Sequence, residues 1–248
     1  MIRTEMIQQG SFLFRYRSFL PIVMVIPLAA ALANPGVFYD GGHDTLASVW
    51  TIVTFGISVL GLLIRGLTIG FVPVGTSGRN TRQQIAESLN TEGLYSLVRH
   101  PLYVGNFLIW IGIFLYTGNW AVCLMFVCAY WLYYERIMAA EESFLAKKFG
   151  PVWKQWAERT PAFVPQSLRW TMPSMSFSMR TVLRREYCAV LGIGFGFAAV
   201  SIVRHALTDG RLLADRVSCI VFPATVAVFF ILRFLKKHTN CLNVAGRC

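Results

Sequence analysis

Residues 103–116 read YVGNFLIWIGIFLY, residues 117–119 read TGN, and residues 120–134 read WAVCLMFVCAYWLYY. Two apolar runs are separated by a tight turn of Thr117, Gly118 and Asn119. The pattern predicts a helical hairpin with extended outer ends, because a bilayer crossing takes roughly 20 apolar residues. A hairpin returns to its starting side. The polar segments before residue 103 and after residue 134 therefore meet at one membrane face.

Four further apolar runs flank this pair, at 19–33, 49–64 (extendable to 74), 187–203 and 217–235. Charged residues make up 14% of the 248-residue chain, against about 25% in soluble domains. The mean hydropathy is +0.53, so too few polar groups remain to coat a soluble core. Low polarity also excludes disorder. The expected fold is all-α: a polytopic membrane protein of about six transmembrane helices, with an amphipathic helical segment on the cytoplasmic face. Arg15 and Arg17 precede the first run, but no small-residue cleavage site follows, so that run reads as a retained helix.

Six spans place both termini on one side, taken as cytoplasmic. Of the 23 Lys and Arg, only Arg204, Arg211 and Arg216 then fall outside, which is the positive-inside asymmetry. The net charge of +11 is thereby assigned to membrane lipid headgroups, with no nucleic-acid partner. The six cysteines form no CxxC pair and no zinc-like spacing with His, so they read as small apolar residues and no metal is expected. Cys248 is not fourth from the end, as a prenylation box requires.

Two cytoplasm-side blocks are not membrane filler. The first runs from 75 to 105. In it Pro101 suits the first turn of a helix, His100 sits at the helix start, and Tyr103 lies three residues on along the same face. The second block runs from 135 to 165. Glu141 and Glu142 lie just past the membrane edge. Beyond them Phe144, Leu145, Phe149, Trp153 and Trp156 form an apolar stripe among Lys147, Lys148 and Lys154, which suits a surface helix broken at Gly150-Pro151 and ended at Thr160-Pro161. Taken singly, these residues read as interface anchors and solvated helix ends.

Taken as an ordered set, they read differently. The set is Gly93-x-Tyr95, Arg99-His100-Pro101-Leu102-Tyr103-Val104-Gly105, a hairpin, Glu141-Glu142-x-x-Leu145, Phe149-Gly150, Trp153, Trp156 and Thr160-Pro161-x-Phe163-x-Pro165. It resembles the isoprenylcysteine carboxyl methyltransferase and phospholipid methyltransferase superfamily of integral membrane enzymes, over about residues 75 to 165. The resemblance implies S-adenosylmethionine bound at the cytoplasmic face by Ser88, Leu89, Asn90, Tyr95, His100, Pro101, Leu102, Tyr103 and Glu141. It also implies a lipid or lipid-linked methyl acceptor. Family members acting on a carboxylate carry an acceptor-binding Arg four residues before the Glu. Here that position is Ile137 and Arg136 is next to it, about 100° away on a helix. Arg99 is the second candidate for orienting an anionic acceptor. An amine acceptor would need a base, for which Glu142 or His100 is the candidate. Arg136, Arg99 and Glu142 are thus the expected catalytic residues.

The chain divides on this reading into helices 1–74, a methyltransferase core at 75–168, and an additional hairpin and tail at 169–248. Gly192-xxx-Gly196 and Gly66-xxx-Gly70 read as close helix packing, and Arg184-Arg185 as a topology signal. The hairpin has two open roles, shaping the acceptor entrance or making an oligomer contact. Two other functions compete: an NADPH-dependent reductase of an isoprenoid or sterol, and a non-catalytic membrane protein on the same scaffold.

Overall fold

The structure, a computed structural model, describes residues 2–16, 44–73, 75–76, 84–208 and 210–247. The expected span at 19–33 lies outside them. Among the described residues there are seven α-helices: α1 (Ile2–Tyr16), α2 (Asp44–Phe71), α3 (Pro101–Leu115), α4 (Trp120–Phe149), α5 (Pro151–Arg159), α6 (Met179–Thr208) and α7 (Arg216–His238). Four of them, α2, α4, α6 and α7, are long and apolar enough to cross a membrane. The chain is an all-α polytopic membrane protein.

The expected hairpin is α3 and α4. Its turn works as the residues suggest: Gly118 takes a φ of 73°, and Asn119 caps α4 by accepting from the backbone N–H of Ala121 and Val122. The outer extension is one-sided, however. α3 keeps 15 residues, roughly 22 Å, whereas α4 runs for 30 and projects well past a 30 Å core. Pro101 stops α3 from extending backwards, while nothing breaks α4 before Gly150. There the φ of 53° and the following Pro151 turn the chain into amphipathic α5.

α2 runs antiparallel to α3 at unusually close range. A Cβ on Gly61 would lie 2.5 Å from the carbonyl oxygen of Gly105 and 2.8 Å from the nitrogen of Ile109. The Ser58 hydroxyl donates to the Ile109 carbonyl at 2.9 Å, and the Trp50 indole donates to the Leu115 carbonyl at 2.8 Å. α6 packs on this pair, with Gly196 against Ile113 of α3 and Gly66 against Val182. Among the described residues nothing lies within 4 Å of where a Cβ on Gly192 would stand, and Gly194 takes the packing role against Thr225 of α7. Gly70 likewise faces the ring of Phe177 rather than a helix. A stacked aromatic column of Phe114, Phe126, Tyr130 and Tyr134 fills the seam between α3 and α4.

Candidate functional site

The two polar blocks meet through backbone hydrogen bonds. The N–H groups of Arg99 and His100 donate to the carbonyls of Pro161 and Ala162 at 2.8 and 3.1 Å. The Thr160-Pro161-x-Phe163 segment is thereby tied to the start of α3, and Phe163 packs its ring edge-on against Phe107 and Trp131. On the other flank, Gly93 bonds to Thr171 at 2.9 Å with a φ of 61°, a conformation that only glycine adopts without strain.

His100 is the N-cap of α3 and 7% exposed. Its Nε2 lies 3.1 Å from Glu142 and its Nδ1 3.5 Å from Glu141. Burial disfavours the imidazolium, but hydrogen bonds and charge from Glu141 and Glu142 outweigh it and hold the His100 pKa above its ordinary value. In the imidazolium form that these carboxylates favour, both ring nitrogens are donors. Glu141 also accepts from the Tyr103 hydroxyl at 2.6 Å, and the Tyr103 ring stacks on His100 with centroids 5.6 Å apart. Arg99 donates to Glu142 at 2.8 Å and to the carbonyls of Ala157 and Thr160 at 2.8 and 2.6 Å. A guanidinium at the C-terminal end of α5 meets the negative end of the helix dipole. Burial, then the charge of Glu141, push the Tyr95 phenol up, so it stays a neutral hydroxyl. The Tyr95 carbonyl accepts from the Trp156 indole at 3.2 Å.

Above this cluster is a cavity of about 350 Å³. Ser88, Leu89, Asn90, Tyr95, His100, Pro101, Leu102, Tyr103 and Glu141 all line it, as does Arg99. The volume is that of a small-molecule site. Glu142 lies behind the lining, between Arg99 and His100. Arg136 lies elsewhere: it bonds the Gln9 side chain of α1 at 2.8 Å and its own-helix Leu132 carbonyl at 2.6 Å. Ile137 takes the inward position and is fully buried.

Other lining residues carry no local motif. They include Phe14 of α1, Arg65 of α2, Asn106 of α3, Tyr134 of α4, and Arg185 and Glu186 of α6. Arg185, expected as a topology signal before a span, stands on a helix that starts at Met179, eight residues ahead of the apolar run. The C-terminal hairpin is thus part of the wall of the cavity. One signal was available for Arg65: a charge inside an otherwise apolar span.

The profile of the phospholipid methyltransferase family matches residues 49–152. Over 155 residues the chain is 29% identical to the protein-S-isoprenylcysteine O-methyltransferase of Schizosaccharomyces pombe, covering 58% of this chain and 66% of that protein. It is 30% identical over 159 residues to the nickel-cobalt-cadmium resistance protein NccN of Alcaligenes xylosoxydans xylosoxydans, covering 63% of this chain and 68% of that protein. The chain belongs to the phospholipid and isoprenylcysteine carboxyl methyltransferase family. A further member, the cobalt-zinc-cadmium resistance protein CzcN of Cupriavidus metallidurans, is 33% identical over 55% of this chain and 63% of its own length. The chain thus spans about two thirds of these relatives, some named as methyltransferases and others as metal-resistance proteins. No solved structure matches it significantly. The family profile covers α2, the polar loop, the hairpin and the start of α5; α1 and α6, which complete the cavity, lie outside it.

Proposed function

We propose that this family member is an S-adenosylmethionine-dependent methyltransferase, acting on a lipid or lipid-linked acceptor at the cytoplasmic face, where both termini also lie. The observation that supports it is the convergence on one cavity of all nine side chains expected to hold the cofactor. The residue types fit the group. Glu141 is an acceptor for an ammonium or a ribose hydroxyl, Tyr95 and Tyr103 offer aromatic faces for a sulfonium, and Leu89 and Leu102 offer apolar surface for a base. When bound, S-adenosylmethionine would supply an electrophilic methyl group to the acceptor by in-line displacement, with the neutral thioether as the leaving group. The protein's part is then to hold, align and keep dry.

The local proton inventory favours an acceptor that is already ionised. His100 has a carboxylate at each ring nitrogen, which favours the imidazolium, a form with no lone pair to offer as a base. Glu142 is engaged by Arg99 and His100 and stands behind the cavity wall. Both therefore serve as a scaffold for Glu141 rather than as proton acceptors.

The test is calorimetric titration of the detergent-purified protein with S-adenosylhomocysteine and, separately, NADPH. We expect the first to bind and the second not to. Glu141→Ala should weaken binding at least about tenfold, the loss of one charge-assisted hydrogen bond. Binding of NADPH alone would assign the chain to the reductases. A labelled methyl recovered only in water-soluble product would remove the lipid acceptor.

A further inference from the structure

Arg65, Asn106 and Glu186 form a polar trio inside the membrane-spanning helices. Arg65 stands six residues before the end of α2, Asn106 five residues into α3 and Glu186 seven residues into α6. At 1.5 Å per residue each lies roughly 8–10 Å from its helix end. Arg65 forms a fork-to-fork pair with Glu186, through Nε at 2.7 Å and Nη2 at 2.8 Å, and its Nη1 donates to the Asn106 side-chain oxygen. The Glu186 side chain is only 5% exposed. Glu186 stands one residue before the apolar run of its helix, at the membrane edge, and a largely buried charge there is costly and marks a candidate ligand site.

All three residues line the cavity. A guanidinium has five N–H donors in a rigid plane. Three are spent on Glu186 and Asn106. Among the described residues, the remaining two meet no acceptor. Glu186 and Asn106 therefore fix the plane of Arg65, and two N–H donors remain for a ligand in the cavity that Arg65 lines, a donor set that suits a carboxylate or phosphate. Apolar Phe14 and Ile69 also line the cavity, as a hydrocarbon chain requires. The position where the resemblance expects an acceptor-binding arginine is held by buried Ile137, and Arg136 is turned onto α1.

We propose that Arg65, oriented by Glu186 and Asn106, is the head-group site for an anionic membrane amphiphile, a carboxylate or a phosphate monoester. That this head group is the methyl acceptor rests on the function proposed above; that Arg65 binds the anion does not. The site depends on Glu186, so the C-terminal hairpin contributes to ligand binding.

The experiment uses the full chain in phosphatidylcholine nanodiscs, with empty discs as the partition blank. Oleate, 1-oleoyl lysophosphatidate and uncharged 1-oleoylglycerol are titrated by calorimetry, and S-adenosylhomocysteine is titrated in parallel. One anionic probe should bind at one site per chain at least about tenfold more tightly than oleoylglycerol. Which of the two it is separates carboxylate from phosphate. The charge-neutral double variant Arg65→Gln/Glu186→Gln should reduce the preference to within about twofold. If that variant does not fold, Arg65→Lys decides, because it keeps the charge and loses the fork: a preference weakened severalfold supports the site, and an unchanged one overturns it. Equal binding of all three probes to the unaltered protein also overturns it. Failure of S-adenosylhomocysteine to bind, with the anion preference intact, removes the methyltransferase reading and leaves the head-group site standing.

Discussion

Two arginines stand at opposite ends of the same helix bundle, one half-buried and one buried, and they are handled in opposite ways. Arg65 lies at the cavity end and lines the cavity, with two donors that meet no acceptor among the described residues. Arg204 lies at the far end, stacked 4.9 Å over the ring of Tyr116, with its Nη2 3.2 Å from the Tyr116 oxygen. The Tyr116 hydroxyl donates to Asp215, which caps α7 by accepting from the backbone N–H and hydroxyl of Ser218. The Asp215 N–H in turn donates to Ser201 at 2.8 Å. Tyr116 and Ser201 are fully buried. A charge enclosed by packed side chains locks helices together, whereas a charge at the edge of a cavity is available to a ligand. A buried arginine in a membrane span is therefore not by itself a site; the adjoining space decides.

The largest expected effect comes from the contact that carries Arg65 to the cavity. Gly61 touches backbone atoms of α3, which cannot yield. Gly61→Val should part α2 from α3 and cost about 3–5 kcal/mol, seen as a lower thermal unfolding midpoint in detergent. The Tyr116–Asp215 network does not involve α2, so damage should concentrate at the cavity end. An unchanged midpoint would contradict the close approach of the two helices.

At the far end, Asp215→Ala removes both a helix cap and the acceptor of a buried hydroxyl. We expect a loss of about 2–3 kcal/mol, with S-adenosylhomocysteine affinity unchanged within about twofold. Burial raises the Asp215 pKa, but hydrogen bonds from Ser201, Tyr116 and Ser218 overcome it and hold the carboxyl at about 2. The sign follows for a depressed carboxylate. Its stabilisation is present above the ordinary value near 3.8 and is lost as pH falls towards 2. A loss of cofactor affinity in this variant would show that the two ends are coupled and erase the contrast drawn between them.

The cavity end has the opposite pH response. The His100 pKa is raised, so its stabilisation is complete below about 6.5 and disappears as pH climbs through the higher folded value. His100→Gln should lower stability by about 1–2 kcal/mol at pH 6, where charge-assisted bonds to Glu141 and Glu142 are lost, and by less at high pH. Unfolding midpoints collected from pH 5 to 9 would show the gap narrowing; a constant gap would mean that His100 is neutral throughout.

The sequence is most informative where the chemistry is local. The Thr117-Gly118-Asn119 turn, Pro101 at the start of α3 and the break at Gly150-Pro151 are each written in residues whose backbone preferences are strong. The cluster around His100 and Glu141 was legible because its members occur in two short blocks joined by a hairpin. Arg65, Asn106 and Glu186 were not, since they come from three helices, and no spacing rule links positions 65, 106 and 186. Arg204 shows the same limit: by position it counts as an outside topology charge, while its side chain is buried against Tyr116. Long-range packing decides such cases, and one sequence contains it only implicitly.

The smallest effect tests the choice between neighbouring arginines. A side chain at Gly10 would run into the Arg136 carbonyl, so α1 lies directly against this stretch of α4. The Arg136 guanidinium follows it outward to Gln9. A surface pair of this kind contributes little, so Arg136→Ala should change stability by less than about 0.5 kcal/mol. It should also leave the binding of S-adenosylhomocysteine and of the anionic amphiphile within about twofold. The comparison with Arg65 makes this informative, because both residues lie on the cavity half of a long helix and only one borders the cavity. A tenfold loss of anion binding in Arg136→Ala would mean that α4 turns by nearly 100° when ligand arrives, and the acceptor side of the site would have to be reassigned from α2 and α6 to α4.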